Sequence, residues 1–151
     1  MIFATSRAQR GVTLIELMMV VTILAILAGI AVPSYRKYLL RSQRSEAKIA
    51  LLQLQTAEEK YYLQNNSYTD NVKDASPAGL GLPGLSETSK YDITVEVGPD
   101  ENGTEAQTFV ASAKAHAGGG QADDTDCGTF MINERGTRTV SGGYTPEQCW
   151  K

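Results

Sequence analysis

Histidine occurs once in these 151 residues, as His116; cysteine occurs twice, as Cys127 and Cys149, and tryptophan once, as Trp150. A single histidine rules out a histidine-built metal cluster, and with no GxSxG elbow in the chain, hydrolysis has no residues to rest on. His116 therefore reads as a strand-end or surface residue. The stretch "GGGQADDTD" sets Asp123, Asp124 and Asp126 beside Gly118–Gly120. Its oxygens could in principle hold calcium, but the spacing is not that of an EF-hand, and we read it as a solvated linker. The glycines follow a predicted strand instead of opening a helix, so they form no phosphate cradle. No catalytic site, cofactor or metal is expected, and the chain does not read as an enzyme.

Positive charge is scarce in the distal part. From Tyr61 onward six basic residues face thirteen acidic ones, a net of −7, whereas residues 34–60 carry six basic residues against three acidic. An acidic head repels phosphate backbones, so nucleic acid is not an expected partner. Arg135 and Arg138 flank a predicted turn and read as a hairpin tip. The basic band from Arg36 to Lys48 has two readings: a solvated or lipid-headgroup face, or a surface that meets acidic surfaces of other molecules.

Long apolar runs are also absent after residue 33, which makes the one before it conspicuous. Leu17–Pro33 holds 17 residues without a charge, and Val12–Ile15 extend it beyond Glu16. At about 1.5 Å per residue, residues 12–33 span roughly 33 Å, enough for a bilayer's hydrocarbon core. Arg7 and Arg10 before the run predict a cytoplasmic N-terminus and an exported remainder. Two cysteines in a small exported head predict a Cys127–Cys149 disulfide, worth roughly 3 kcal/mol by chain entropy. Glu16 does not fit a plain anchor, because a carboxylate in lipid is costly and usually has a partner or a function.

"RGVTLIELMMVVTILAILAGIAVPSY", residues 10–35, resembles the start of a type IV pilin. In that family a prepilin peptidase cuts after a glycine, and a glutamate stands fifth after the cut. The resemblance implies cleavage between Gly11 and Val12, N-methylation of Val12, and a Glu16 carboxylate that neutralises a neighbour's new α-amino group during assembly. Val12 stands where the family usually has phenylalanine, which points to a minor subunit. The C-terminal span "CGTFMINERGTRTVSGGYTPEQCW" is similar to the disulfide-bounded region of type IVa pilins, a feature that separates the chain from the pseudopilins of type II secretion. Some members of the family bind DNA in this region.

The remaining pattern fits an α+β pilin fold. Apolar residues at steps of three and four from Tyr35 to Tyr61 continue the helix, predicted over 13–64, with Gly29 and Pro33 as points where it would kink or melt. Residues 67–89 are rich in proline and glycine and predict an irregular connection that packs down through Leu80, Leu82 and Leu85. "YDITVEV" and "AQTFVASAKA" alternate as strands around an Asn102-Gly103 turn, and "GTFMINE" and "TRTVSG" predict a second hairpin. The expected organisation is a leader (1–11), a transmembrane and polymerisation helix (12–33), an amphipathic half (34–64), a connection (65–90), and a four-stranded antiparallel sheet with the disulfide loop (91–151).

The resemblance implies a structural subunit, of the minor kind, of a type IV pilus serving twitching motility, adhesion or DNA uptake. It would sit in the inner membrane before assembly and in an extracellular pilus afterwards. Implied partners are major and minor pilin subunits, prepilin peptidase, the inner-membrane assembly machinery and membrane lipid. The alternatives are a type II secretion pseudopilin or a membrane-anchored binding protein that never assembles.

Overall fold

The computed structural model describes residues 11–151. Compact packing divides the chain into two units between Tyr38 and Leu39. One long helix, α1 (Leu14–Asn65), contributes to both. It is followed by strands β1 (Tyr91–Gly98), β2 (Thr108–Ala115), β3 (Phe130–Asn133) and β4 (Arg138–Val140), and by a short helix α2 (Pro146–Cys149).

The first unit is the apolar stretch of α1. Its best 18-residue window has a mean hydropathy of 2.6, and none of that window is buried within the chain. A helix that is hydrophobic all round needs a cover, and the described residues supply none here. Helical structure runs through Gly29 and Pro33 without interruption. Proline in a helix strands and crowds the carbonyl four residues back, and that residue here is Gly29. The Thr22 hydroxyl, the polar group in mid-span, donates to the Met18 carbonyl at 2.8 Å.

In the second unit the four strands form a meander in the order β1-β2-β3-β4, each pair antiparallel. The register sets Ile93 opposite Ala113, Val95 opposite Ala111 and Phe130 opposite Val140. Alternation then puts Tyr91, Ile93, Val95, Phe109, Ala111, Ala113, Phe130 and Ile132 on one buried face. On α1 the residues that bury are Arg44, Ala47, Leu51, Leu54 and Glu58, a 3-4-3-4 stripe. Ala47, Leu51 and Leu54 join the strand residues in one core. Ala111 and Ala113 are wholly buried, and such small side chains let a helix backbone come close to the sheet.

The connection between α1 and β1 is irregular but fastened. Leu82 N–H donates to Val72 O and Leu80 N–H to Asn71 O, while the Asn71 amide bonds Asp74 and the Ala78 carbonyl. Glu46 on α1 accepts from the hydroxyls of Ser86 and Thr88 and from Thr88 N–H. Although burial opposes it, these bonds hold the Glu46 carboxyl below its ordinary range. Leu82 and Leu80 pack on the core from this segment.

Candidate functional site

The start of α1 carries the residues expected to direct processing and assembly. Gly11, Val12 and Thr13 precede the helix, and among the described residues nothing would meet a side chain at Gly11 within 4 Å. Glu16 N–H donates to Thr13 Oγ1 at 3.3 Å, and Leu17 N–H to Thr13 O at 3.1 Å. Thr13 is therefore the N-cap, and "TLIE" has the T-x-x-E spacing of a capping box, a signal readable in the sequence. Glu16 lies in the first turn, where the helix dipole favours a negative charge. Its carboxylate has no hydrogen-bond partner among the described residues and stays exposed. Arg7 and Arg10 lie outside the described residues.

The second feature is the face closed by the disulfide. Cys127 and Cys149 are joined, with Cα atoms 5.9 Å apart. Thr145 caps α2 in a reciprocal box with Gln148, which delivers Cys149 into the core and leaves Trp150 just beyond it. The Trp150 ring meets Phe130 edge to face at 5.7 Å, and Phe130 meets Tyr91 in the same way at 6.2 Å. The Arg138 guanidinium lies 5.1 Å over the Trp150 ring, and Trp150 Nε1 donates to Thr139 O. Arg135, by contrast, lies beside Glu134 and Glu101, so the hairpin tip is not a free basic spot.

Two sequence expectations are overturned on this side of the molecule. "GGGQADDTD" is not a solvated linker: it forms a 3-10 turn at Gln121–Asp123, and Gln121 and Asp124 are buried. Arg44, expected on a solvated or intersubunit face, is buried too and donates to both Asp124 carboxylate oxygens, at 2.7 and 2.6 Å. Asp126 adds a contact at 3.4 Å. The Asp124 hydrogen bond raises the Arg44 guanidinium above its ordinary range, against the opposing effect of burial. Gln121 Nε2 completes the cluster by donating to Leu40 O. This pairing spans 80 residues of sequence, so nothing local could have signalled it.

Beside this pair a groove of about 230 Å³ is lined by Arg41, Arg44, Lys48, Tyr144, Gln148 and Lys151. Lys48 is held below its ordinary range by burial and by Arg44 one turn away. Arg41, Lys48 and Lys151 thus stand together here, with Arg44 neutralised by Asp124 and Lys48 Nζ donating to Lys151 O, whereas the head as a whole is acidic. His116 sits just after β2, 2.8 Å from Asp92. Among the described residues no group of three metal-ligating side chains converges.

Residues 6–32 match the prokaryotic N-terminal methylation motif. Residues 33–131 match the family described as type IV minor pilin ComP, DNA uptake sequence receptor. The chain belongs to that family. This pilin is 38% identical over 104 residues to the type IV major pilin protein PilE1 of Neisseria gonorrhoeae, a match covering 69% of the chain and 59% of the relative. It is 49% identical over 62 residues to the type IV major pilin protein PilA of Myxococcus xanthus, covering 41% and 28%. It therefore spans less than two thirds of either relative. Among solved structures, the non-core minor pilin PilV of Neisseria meningitidis matches at 18% identity with a TM-score of 0.48, over 71% of this pilin and 97% of that one.

Proposed function

We propose that this pilin is a structural subunit, of the minor type, of a type IV pilus. It is cut between Gly11 and Val12 by prepilin peptidase, methylated at Val12, held in the inner membrane by residues 12–33 and then passed by the assembly machinery into an extracellular filament. The observation that carries this reading is the bare apolar stretch: Val12 is 73% exposed and Ile30 71%, with nothing among the described residues to cover them. Lipid covers such a surface before assembly and other pilin helices cover it afterwards. Within that packing the Glu16 carboxylate, which has no hydrogen-bond partner among the described residues, neutralises the α-amino group of a neighbour. Pro33, with Gly29 one turn before it, is where the helix would bend or unwind.

Intact-mass measurement with and without prepilin peptidase tests the reading. The expected result is peptidase-dependent loss of residues 1–11 together with a methyl group at the new terminus. An uncut chain, or one cut after the apolar run, would overturn it.

A second reading, capture of DNA, is favoured by the segregation of charge. The net charge of −7 averages over a head whose Arg41, Lys48 and Lys151 share one groove with Tyr144. The family description points the same way. On this reading the earlier expectation that nucleic acid is not a partner gives way, because phosphate contacts respond to the local field. Binding to duplex DNA should weaken with salt, and Lys48→Gln should lower the slope of that dependence by about one. A slope unchanged by the substitution removes this face from the reading.

A further inference from the structure

The chain contains two N-x-S/T triplets, Asn65-Asn66-Ser67 and Asn102-Gly103-Thr104. Such a triplet is an acceptor signal for N-linked saccharide in an exported protein, provided that it lies on accessible backbone. The structure separates the two. Asn65 is the last residue of α1, and its carboxamide nitrogen donates to Tyr61 O at 3.0 Å. Asn66 is fastened on both sides, its N–H on Tyr62 O and its carbonyl under Gln107 Nε2. Modification there would require the helix end to unwind.

Asn102 is placed differently, at the tip of the β1–β2 hairpin. Every residue from Glu101 to Glu105 is exposed, and a side chain at Gly103 would meet nothing within 4 Å. The tip contributes nothing to the core, so a bulky group there displaces no packing. Its shape is set from within by Asp100, whose Oδ1 accepts from Asn102 N–H at 2.9 Å and Thr104 N–H at 2.8 Å. Gly103 takes φ +80°, a conformation that glycine adopts without strain. The Asn102 carboxamide nitrogen has one long contact, 3.4 Å to Asp100 Oδ2. An acceptor triplet is thus held in a fixed turn, clear of the fold, with its asparagine side chain nearly free.

We propose that Asn102 is an acceptor for an N-linked saccharide, attached to the exported head from a lipid-diphosphate-linked donor. In the transfer, Asn102 Nδ2 forms a bond to the anomeric carbon of the saccharide, and the bond from that carbon to the diphosphate oxygen breaks. The lipid diphosphate leaves with the electron pair, and the proton lost from Nδ2 passes to a base of the transferase. Nothing is oxidised or reduced. The proposal rests on the pilus reading only in that the head must leave the cytoplasm.

The test uses the full chain isolated from its source bacterium. Intact mass reports processing, and fragmentation of the tryptic peptide Tyr91–Lys114 reports the tip. The expected result is a saccharide mass on Asn102 that disappears in Asn102→Gln and Thr104→Val but persists in Thr104→Ser and Asn65→Gln. Recovery of the peptide without saccharide, its persistence in Asn102→Gln, or a saccharide confined to Asn65 would overturn the proposal. A bare peptide on a chain that has lost residues 1–11 sinks the glycan alone, whereas a bare peptide on an uncut chain sinks the pilus reading as well.

Discussion

Glu58 lies in the buried stripe of α1 with no exposed surface, one carboxyl oxygen unpartnered and the other accepting from Thr69 N–H at 3.2 Å. Burial raises its pKa from 4.5 to about 7; the Thr69 bond opposes this, and Glu59 and Asp70 add a little to it. The native state therefore keeps a proton that the unfolded chain gives up near 4.5. The stability this contributes is fully present below pH 4.5 and is lost as the pH rises through 7. A shift of about 2.5 units corresponds to about 3 kcal/mol in all, of which about 2.5 is lost between pH 5 and pH 8. Glu58→Gln removes the titration and keeps the shape. Its amide brings a constant penalty of about 1 kcal/mol for an unpaired donor, so the pH dependence, and not the absolute stability, is the quantity to read. Thermal unfolding of the full chain in detergent, followed by near-ultraviolet circular dichroism, should show the variant gaining about 10 °C on the parent between pH 5 and pH 8. Parallel curves for the two proteins across that range would refute the reasoning.

Asp124→Ala leaves the Arg44 guanidinium buried with only the longer Asp126 contact, and should cost about 3–5 kcal/mol in denaturant unfolding. The double variant Arg44→Met with Asp124→Leu should recover most of that loss. Gly142→Ala drives a Cβ into the backbone at Asp126 and Cys127, where no flexible side chain can give way, and should lower stability by about 2–3 kcal/mol beside an intact disulfide. Thr13→Ala removes the N-cap and should cost about 1 kcal/mol of helix stability by circular dichroism while pili still form. Glu16→Gln keeps the cap, because Glu16 contributes its backbone N–H to it, and should abolish incorporation into pili on an immunoblot of sheared filaments.

Much of this protein is legible in one dimension because its signals are local and periodic. Seventeen uncharged residues can only be a buried or membrane-bound segment, and the period-two alternation of Tyr91, Ile93, Val95 and Val97 can only be a half-buried strand. The α+β class, both hairpins and the disulfide follow from such patterns and from cysteine arithmetic. Thr13 was legible too, since T-x-x-E needs four residues to be seen.

What stayed hidden depends on partners far apart in the chain. Arg44 looks like any residue of a basic band, and Asp124 like any residue of a polar linker, until folding brings residues 80 apart within 2.6 Å. Glu58 belongs to an acidic pair whose members differ only in which side of α1 meets the sheet, and the basic groove joins α1 to the region after the second hairpin. Local sequence determined which elements form and which segment must be covered by something outside the chain, because propensity, periodicity and apolar length act over a few turns. Burial and charge pairing act across space, so only the tertiary structure decided which charges are neutralised inside the head and which face outward.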